Sequence, residues 1–111
     1  MQIPDAQRLR IFIGETDRHQ GRLLSEVIVE TARREGLAGA TVLRGIMGYG
    51  ANSCVHSSKI LRLSEGMPVV VEIVDAKEKI DDFLPLLDSM IQEGLVTRDD
   101  VQVVLYRHNG G

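Results

Sequence analysis

The chain has 111 residues, a length that suits one compact domain, with 43% hydrophobic and 26% charged residues, the ordinary balance of a globular fold. A net charge of −3, two Phe, two Tyr and no Trp exclude a nonspecific grip on nucleic acid, which needs clustered cations, and a base-stacking platform. The single cysteine, Cys54, cannot close an internal disulfide, the N-terminal MQIPDAQRLR has no apolar targeting core, and no apolar run nears the ~18 residues of a membrane span, so a cytoplasmic location without membrane insertion is expected.

The elements follow in chain order within a single domain spanning 1–111, with residues 1–7 expected as a flexible arm and 109–111 as a frayed tail. Leu9, Ile11 and Ile13 alternate with Arg8, Arg10 and Phe12, the period of a half-buried strand. Gly14 to Gly21 is a polar connector in which Thr16 or Asp17 can act as a capping acceptor. From Arg22 the period changes: Leu24, Val27, Ile28 and Thr31 fall on one helical face, Arg33 and Arg34 suit the negative end of the dipole, and Gly36 predicts a left-handed cap. Ala40 to Met47 reads as a second strand, Lys59 to Leu63 as a short one, and Pro68 to Val74 as the strongest in the chain. Asp75 and Glu78 have the spacing of a capping box. Ile80, Phe83, Leu84, Leu87 and Ile91 then carry the apolar face of a second helix that contains Pro85 and stops by Gly94. A last strand is predicted from the alternation of Val101, Val103 and Leu105.

This order predicts an α+β, ferredoxin-like βαββαβ fold, with both helices on one face of an antiparallel sheet and an extended loop between the second and third main strands. Both faces of the 68–74 strand are largely apolar, since Val70 and Val74 alternate with Val69, Val71 and Ile73. The helices cover one face, so the other is expected to be buried between subunits.

Gly45, Gly48 and Gly50 cluster within six residues of the loop base. They read either as turn formers of a long hairpin or as a backbone concavity whose N–H groups receive an anion, with Arg44, Lys59 and Arg62 adding charge. Gly14-Glu-Thr-Asp-Arg18 leaves a strand end: Arg18 can pair with an anion, and Glu15 or Asp17 with a ribose hydroxyl or a metal. The scattered His19, His56 and His108 and the Cys54-Val-His56 pair lack the spacing of a zinc site or the geometry of a nucleophile. The adjacent acids Asp81/Asp82 and Asp99/Asp100 read as solvated surface.

The segment Gly39-Ala-Thr-Val-Leu-Arg-Gly-Ile-Met-Gly-Tyr-Gly50 resembles the second strand and loop base of PII signal-transduction proteins. RLRIFIGETDR, GLAGATVLRGIMGYG, MPVVVEIVD and VQVV are similar to an uncharacterised PII-like family of small bacterial and archaeal proteins, over residues 9 to about 106. The resemblance implies a homotrimer, nucleotide sites in the clefts between subunits and a long loop that reports the ligand to a partner. It departs at Glu93 to Asp100, which has one glycine and no lysine where PII proteins hold phosphates, and at the modified loop tyrosine, which has no counterpart.

The combined expectation is a non-enzymatic regulator that requires no cofactor and takes AMP, ADP, ATP or a similar small anion as effector. Arg44, Gly45, Gly48, Tyr49, Gly50 and Arg18 would form the site, with Glu15, Asp17, Lys59 and Arg62 as further candidates. Residues 48–66 would report to a membrane transporter or an enzyme. Two other readings are a ligand-free trimeric adaptor subunit and a hydrolase of nucleotides or phosphate esters.

Overall fold

The computed structural model of the chain describes residues 3, 5–50 and 66–108. The expected 59–63 strand, Cys54, His56, Lys59, Arg62 and the 109–111 tail therefore lie outside the described residues, as does most of the 48–66 segment.

Strand β1, Ala6–Gly14, turns Leu9, Ile11 and Ile13 inward. It begins inside the expected N-terminal arm, because Ala6 and Gln7 are already buried and paired with Ala76 and Asp75. The polar connector contains a hairpin of two-residue strands, β2 (Arg18–His19) and β3 (Arg22–Leu23), turned at Gln20 and Gly21 with φ of 52° and 83°. Helix α1 follows at Leu24–Arg34. Its C-terminus is closed as the glycine predicts: Gly36 has φ 80°, its amide donates to Arg33 O, and the Leu37 amide donates to Ala32 O.

Strand β4 is Ala40–Arg44, three residues shorter than expected. Strand β5, Pro68–Ala76, alternates half-buried and buried residues along its length. Helix α2, Lys77–Met90, contains Pro85 and buries Ile80, Phe83, Leu87 and Met90. The expected capping box does not form. Asp75 Oδ2 instead accepts from the Ala38 amide at 2.8 Å, and the first amide of α2, on Lys77, donates to Asp5 O at 2.9 Å. A carboxylate buried at a strand end is worth more bridging to another loop than capping a helix whose first N–H already has a partner.

The last strand, β6, is Leu95–Asp100, and the predicted strand at 101–106 is corrected: those residues have no regular structure. The segment LVTRDD is preferred because β1 supplies partners for its charges. Arg8 pairs with Asp99 at 2.8 Å, Gln7 Nε2 donates to Asp100 Oδ1 at 2.8 Å, and Arg98 Nε donates to Gln7 Oε1 at 2.8 Å. Those contacts satisfy polar groups that a strand of Val101, Val103 and Leu105 would leave unpaired.

The sheet order is β4-β5-β1-β6, antiparallel throughout, with α1 and α2 covering one face. This is the expected ferredoxin-like α+β fold. The core runs from Leu9, Ile11, Val71 and Ile73 to Ile28, Ile80 and Phe83, all 1% exposed or less. The opposite face bears a continuous apolar row. Leu43 opposes Val70, Val70 opposes Phe12 and Phe12 opposes Leu95, one residue from each strand. Leu43 and Leu95 are 49% and 58% exposed. The next row is polar, with Arg10 paired to Glu72 at 3.1 Å.

Candidate functional site

The glycine-rich segment leaves β4 against the start of β5. The Gly45 amide donates to Pro68 O at 2.7 Å, and a Cβ on Gly45 would meet the Pro68 ring at 3.0 Å and that oxygen at 3.1 Å. A side chain here would crowd Pro68, and the Gly45 amide has a protein partner. Gly48 has φ 151°, a conformation that side chains resist.

Tyr49 and Gly50 wall a hollow of about 280 Å³ at the end of the sheet. Phe12, Pro68 and Leu95 supply its other apolar surface. Gly14 leaves room for the Asp17 carboxylate, whose Oδ1 would lie 2.9 Å from a Cβ there, and Gly94 lets two backbones come close beside the hollow. A Cβ at Gly94, where φ is 154°, would lie 2.8 Å from Phe12 O, so glycine lets the chain pass under β1 and turn into β6. Two carboxylates, Asp17 and Glu93, complete the lining. Asp17 is held in place by the Gly14 amide, which donates to Oδ2 at 2.8 Å.

The predicted site residues separate into groups. Tyr49, Gly50 and Asp17 come together in this hollow, with Gly48 next in chain. Arg44 Nε donates to Glu15 Oε2 at 2.8 Å, so a proposed counter-charge and a proposed hydroxyl acceptor are paired with each other. Glu15 Oε1 is buried with no hydrogen bond among the described residues. Arg18 donates to Gly21 O at 3.1 Å and lines a second hollow of about 210 Å³, whose common wall with the first is Asp17 and Glu93. Lys59 and Arg62 lie outside the described residues.

Sequence reasoning did not place Phe12, Pro68 or Leu95 beside the glycine-rich segment, and it met Glu93 and Gly94 only in the stretch where the chain departs from the PII pattern. Gly94 was legible as a break after a helix, but its closeness to Phe12 follows from β6 pairing with β1. A wider cleft of about 770 Å³ lies at the other end of the sheet, beside the chain leaving β6. It is an open groove between Asp5–Gln7 and Val101–Val103 and holds none of the expected residues. Among the described residues no three His, Cys, Asp or Glu gather to hold a metal, and no helix is long and apolar enough to cross a membrane.

The chain is similar to known proteins in sequence and in fold. The UPF0166 protein of Aquifex aeolicus is 38% identical over 104 residues, covering 94% of this chain and 98% of its own. That of Methanocaldococcus jannaschii is 40% identical over 99 residues, covering 88% and 91%. CPII from Thiomonas intermedia K12, solved with ADP and bicarbonate, matches with a TM-score of 0.58 at 16% identity, over 92% of this chain and 91% of that one. CPII described as a nitrogen regulatory PII-like protein, bound to ADP, AMP and bicarbonate, matches at 0.54 and 18% identity, over 96% and 100%. At such identities the likeness is one of fold. The DUF190 family model, described as an uncharacterized ACR, matches residues 6–103. The chain therefore belongs to the DUF190 family, named UPF0166 in its relatives, whose fold is that of the PII-like proteins.

Proposed function

We propose that this protein is a non-enzymatic, PII-like regulator that binds an adenine nucleotide at the Tyr49–Gly50 hollow. The observation that carries the reading is the meeting of that loop base with Gly94 and Leu95 at one end of the sheet. A small, largely apolar hollow with a few polar groups is the usual form of a ligand site. The same fold holds ADP and AMP in the solved CPII structures, which supports the nucleotide class.

The protein works as a cytoplasmic homotrimer whose subunits meet over the apolar row Leu43–Val70–Phe12–Leu95. The hollow lies beside that row, since Phe12 and Leu95 belong to both, so the ligand sits at a cleft between subunits. The segment 48–66, which starts at the hollow, reports occupancy to a transporter or enzyme by contacting it differently with and without ligand. The exposed row also suits the second reading, an adaptor trimer with no small ligand.

Titration calorimetry with AMP, ADP and ATP decides between them. Binding in the micromolar range, weakened about tenfold or more by Tyr49→Ala, supports the regulator, because an aromatic–base stack is worth about 1–3 kcal/mol. No heat with any of the three selects the adaptor.

A further inference from the structure

We propose that the Tyr49 hollow takes the uncharged nucleoside end of its ligand, and that Glu93 selects this orientation by accepting a hydrogen bond from it. This rests on the nucleotide reading above and adds which end of the molecule enters. Among the described residues, the charged side chains in the lining are two carboxylates, Asp17 and Glu93, with Arg18 on the far side of the wall they form. A phosphate placed between the two carboxylates meets like charge at close range, where repulsion is greatest. A base amino group or a ribose hydroxyl meets two acceptors instead. The remaining walls, Phe12, Tyr49, Pro68 and Leu95, suit the faces of a flat heterocycle. Asp17 is already fixed by the Gly14 amide, whereas Glu93 lies in the short link between α2 and β6 and is exposed, so it can be replaced without disturbing the core.

The test is calorimetry of the full chain and of Glu93→Gln with adenosine, AMP, ADP and ATP, after circular dichroism shows that the variant is folded. The expected result is adenosine binding within about tenfold of ADP, and a loss of about fivefold or more for adenosine and AMP alike in Glu93→Gln, the scale of one lost charge-assisted hydrogen bond. If Glu93→Gln instead tightens ADP and ATP while adenosine fails to bind, phosphate occupies the hollow; the orientation is overturned and the nucleotide reading stands. Unchanged affinities in the variant overturn the role of Glu93 in the same way. If none of the four ligands binds the native chain, both readings fall.

Discussion

Arg44, the last residue of β4, donates to Glu15 in the turn after β1 at 2.8 Å, tying two strand ends that are 29 residues apart in the chain. Both side chains keep more than a third of their surface in water, at 40% and 35% exposure. A pair this wet contributes about 1 kcal/mol or less. Glu15→Gln is expected to lower the unfolding free energy by no more than that in urea titrations. A larger loss would contradict the reading of this pair as a weak, solvated tie.

Acid should weaken the fold through two ion pairs on the β6 side. Asp81 is held below its ordinary pKa chiefly by its hydrogen bond from Arg98, with Lys77 adding, and Asp99 chiefly by its hydrogen bond from Arg8. Because the folded values are depressed, this stability is fully present above the unfolded carboxylate pKa and is lost as pH falls through the folded values. Melting temperatures followed from about pH 6 to about pH 2.5 should fall less steeply in the Asp81→Asn/Asp99→Asn double variant than in the native chain. Parallel curves would show that the two carboxylates titrate as they do in the unfolded state.

Two glycines that look alike in sequence should respond differently to alanine. At Gly94 the added Cβ would sit 2.8 Å from the Phe12 carbonyl with φ at 154°, whereas at Gly39 it would meet nothing within 4 Å. Gly94→Ala is expected to cost about 1–3 kcal/mol through strain and displaced backbone. Gly39→Ala should be neutral or stabilise by up to about 1 kcal/mol by stiffening the unfolded chain. Chemical denaturation of the two variants checks the contrast, and equal losses would contradict it.

The apolar row makes a prediction about assembly. Val70 stands in the middle of it, between Leu43 and Phe12, and does not line the Tyr49 hollow. Light scattering should give the native chain a mass of about three subunits, and Val70→Asp should reduce it to that of one, because each copy would bury an unpaired carboxylate at the contact. A Val70→Asp protein that keeps the native mass would move the interface elsewhere.

Much of the architecture was legible in local pattern. The alternation of Leu9, Ile11 and Ile13, the helical face of Leu24, Ile28 and Thr31, and the cap at Gly36 each concern residues a few positions apart, where period and backbone chemistry decide the outcome. The last strand was not legible. Thr97, Arg98, Asp99 and Asp100 look like loop residues until Arg10, Arg8 and Gln7 are placed opposite or beside them, and those partners lie about 90 residues away. Apolar alternation at Val101, Val103 and Leu105 was the stronger local signal and the wrong one. The same distance hid the lining of the candidate site. Tyr49 and Gly50 could be singled out by composition, but Glu93 and Gly94 join them because β6 lies beside β1. Arg18 and Arg44 were plausible anion ligands by charge alone, yet each is directed by a neighbour that sequence does not reveal, Gly21 O for one and Glu15 for the other.

The strand order has a consequence for how the chain comes to be folded. In β4-β5-β1-β6, strands from the first and second halves of the sequence alternate, so every ladder of the four-stranded sheet joins one half to the other. Neither half can assemble any of that sheet by itself. During synthesis β1 waits for both of its partners, the second of which ends at Asp100, so the sheet closes late and as one cooperative event, with the slow rate expected of long-range pairing. A chain nicked in the connection between β4 and β5 would leave each strand's ladder partners on the other fragment. The two pieces, separately unfolded, should recover the native sheet on mixing.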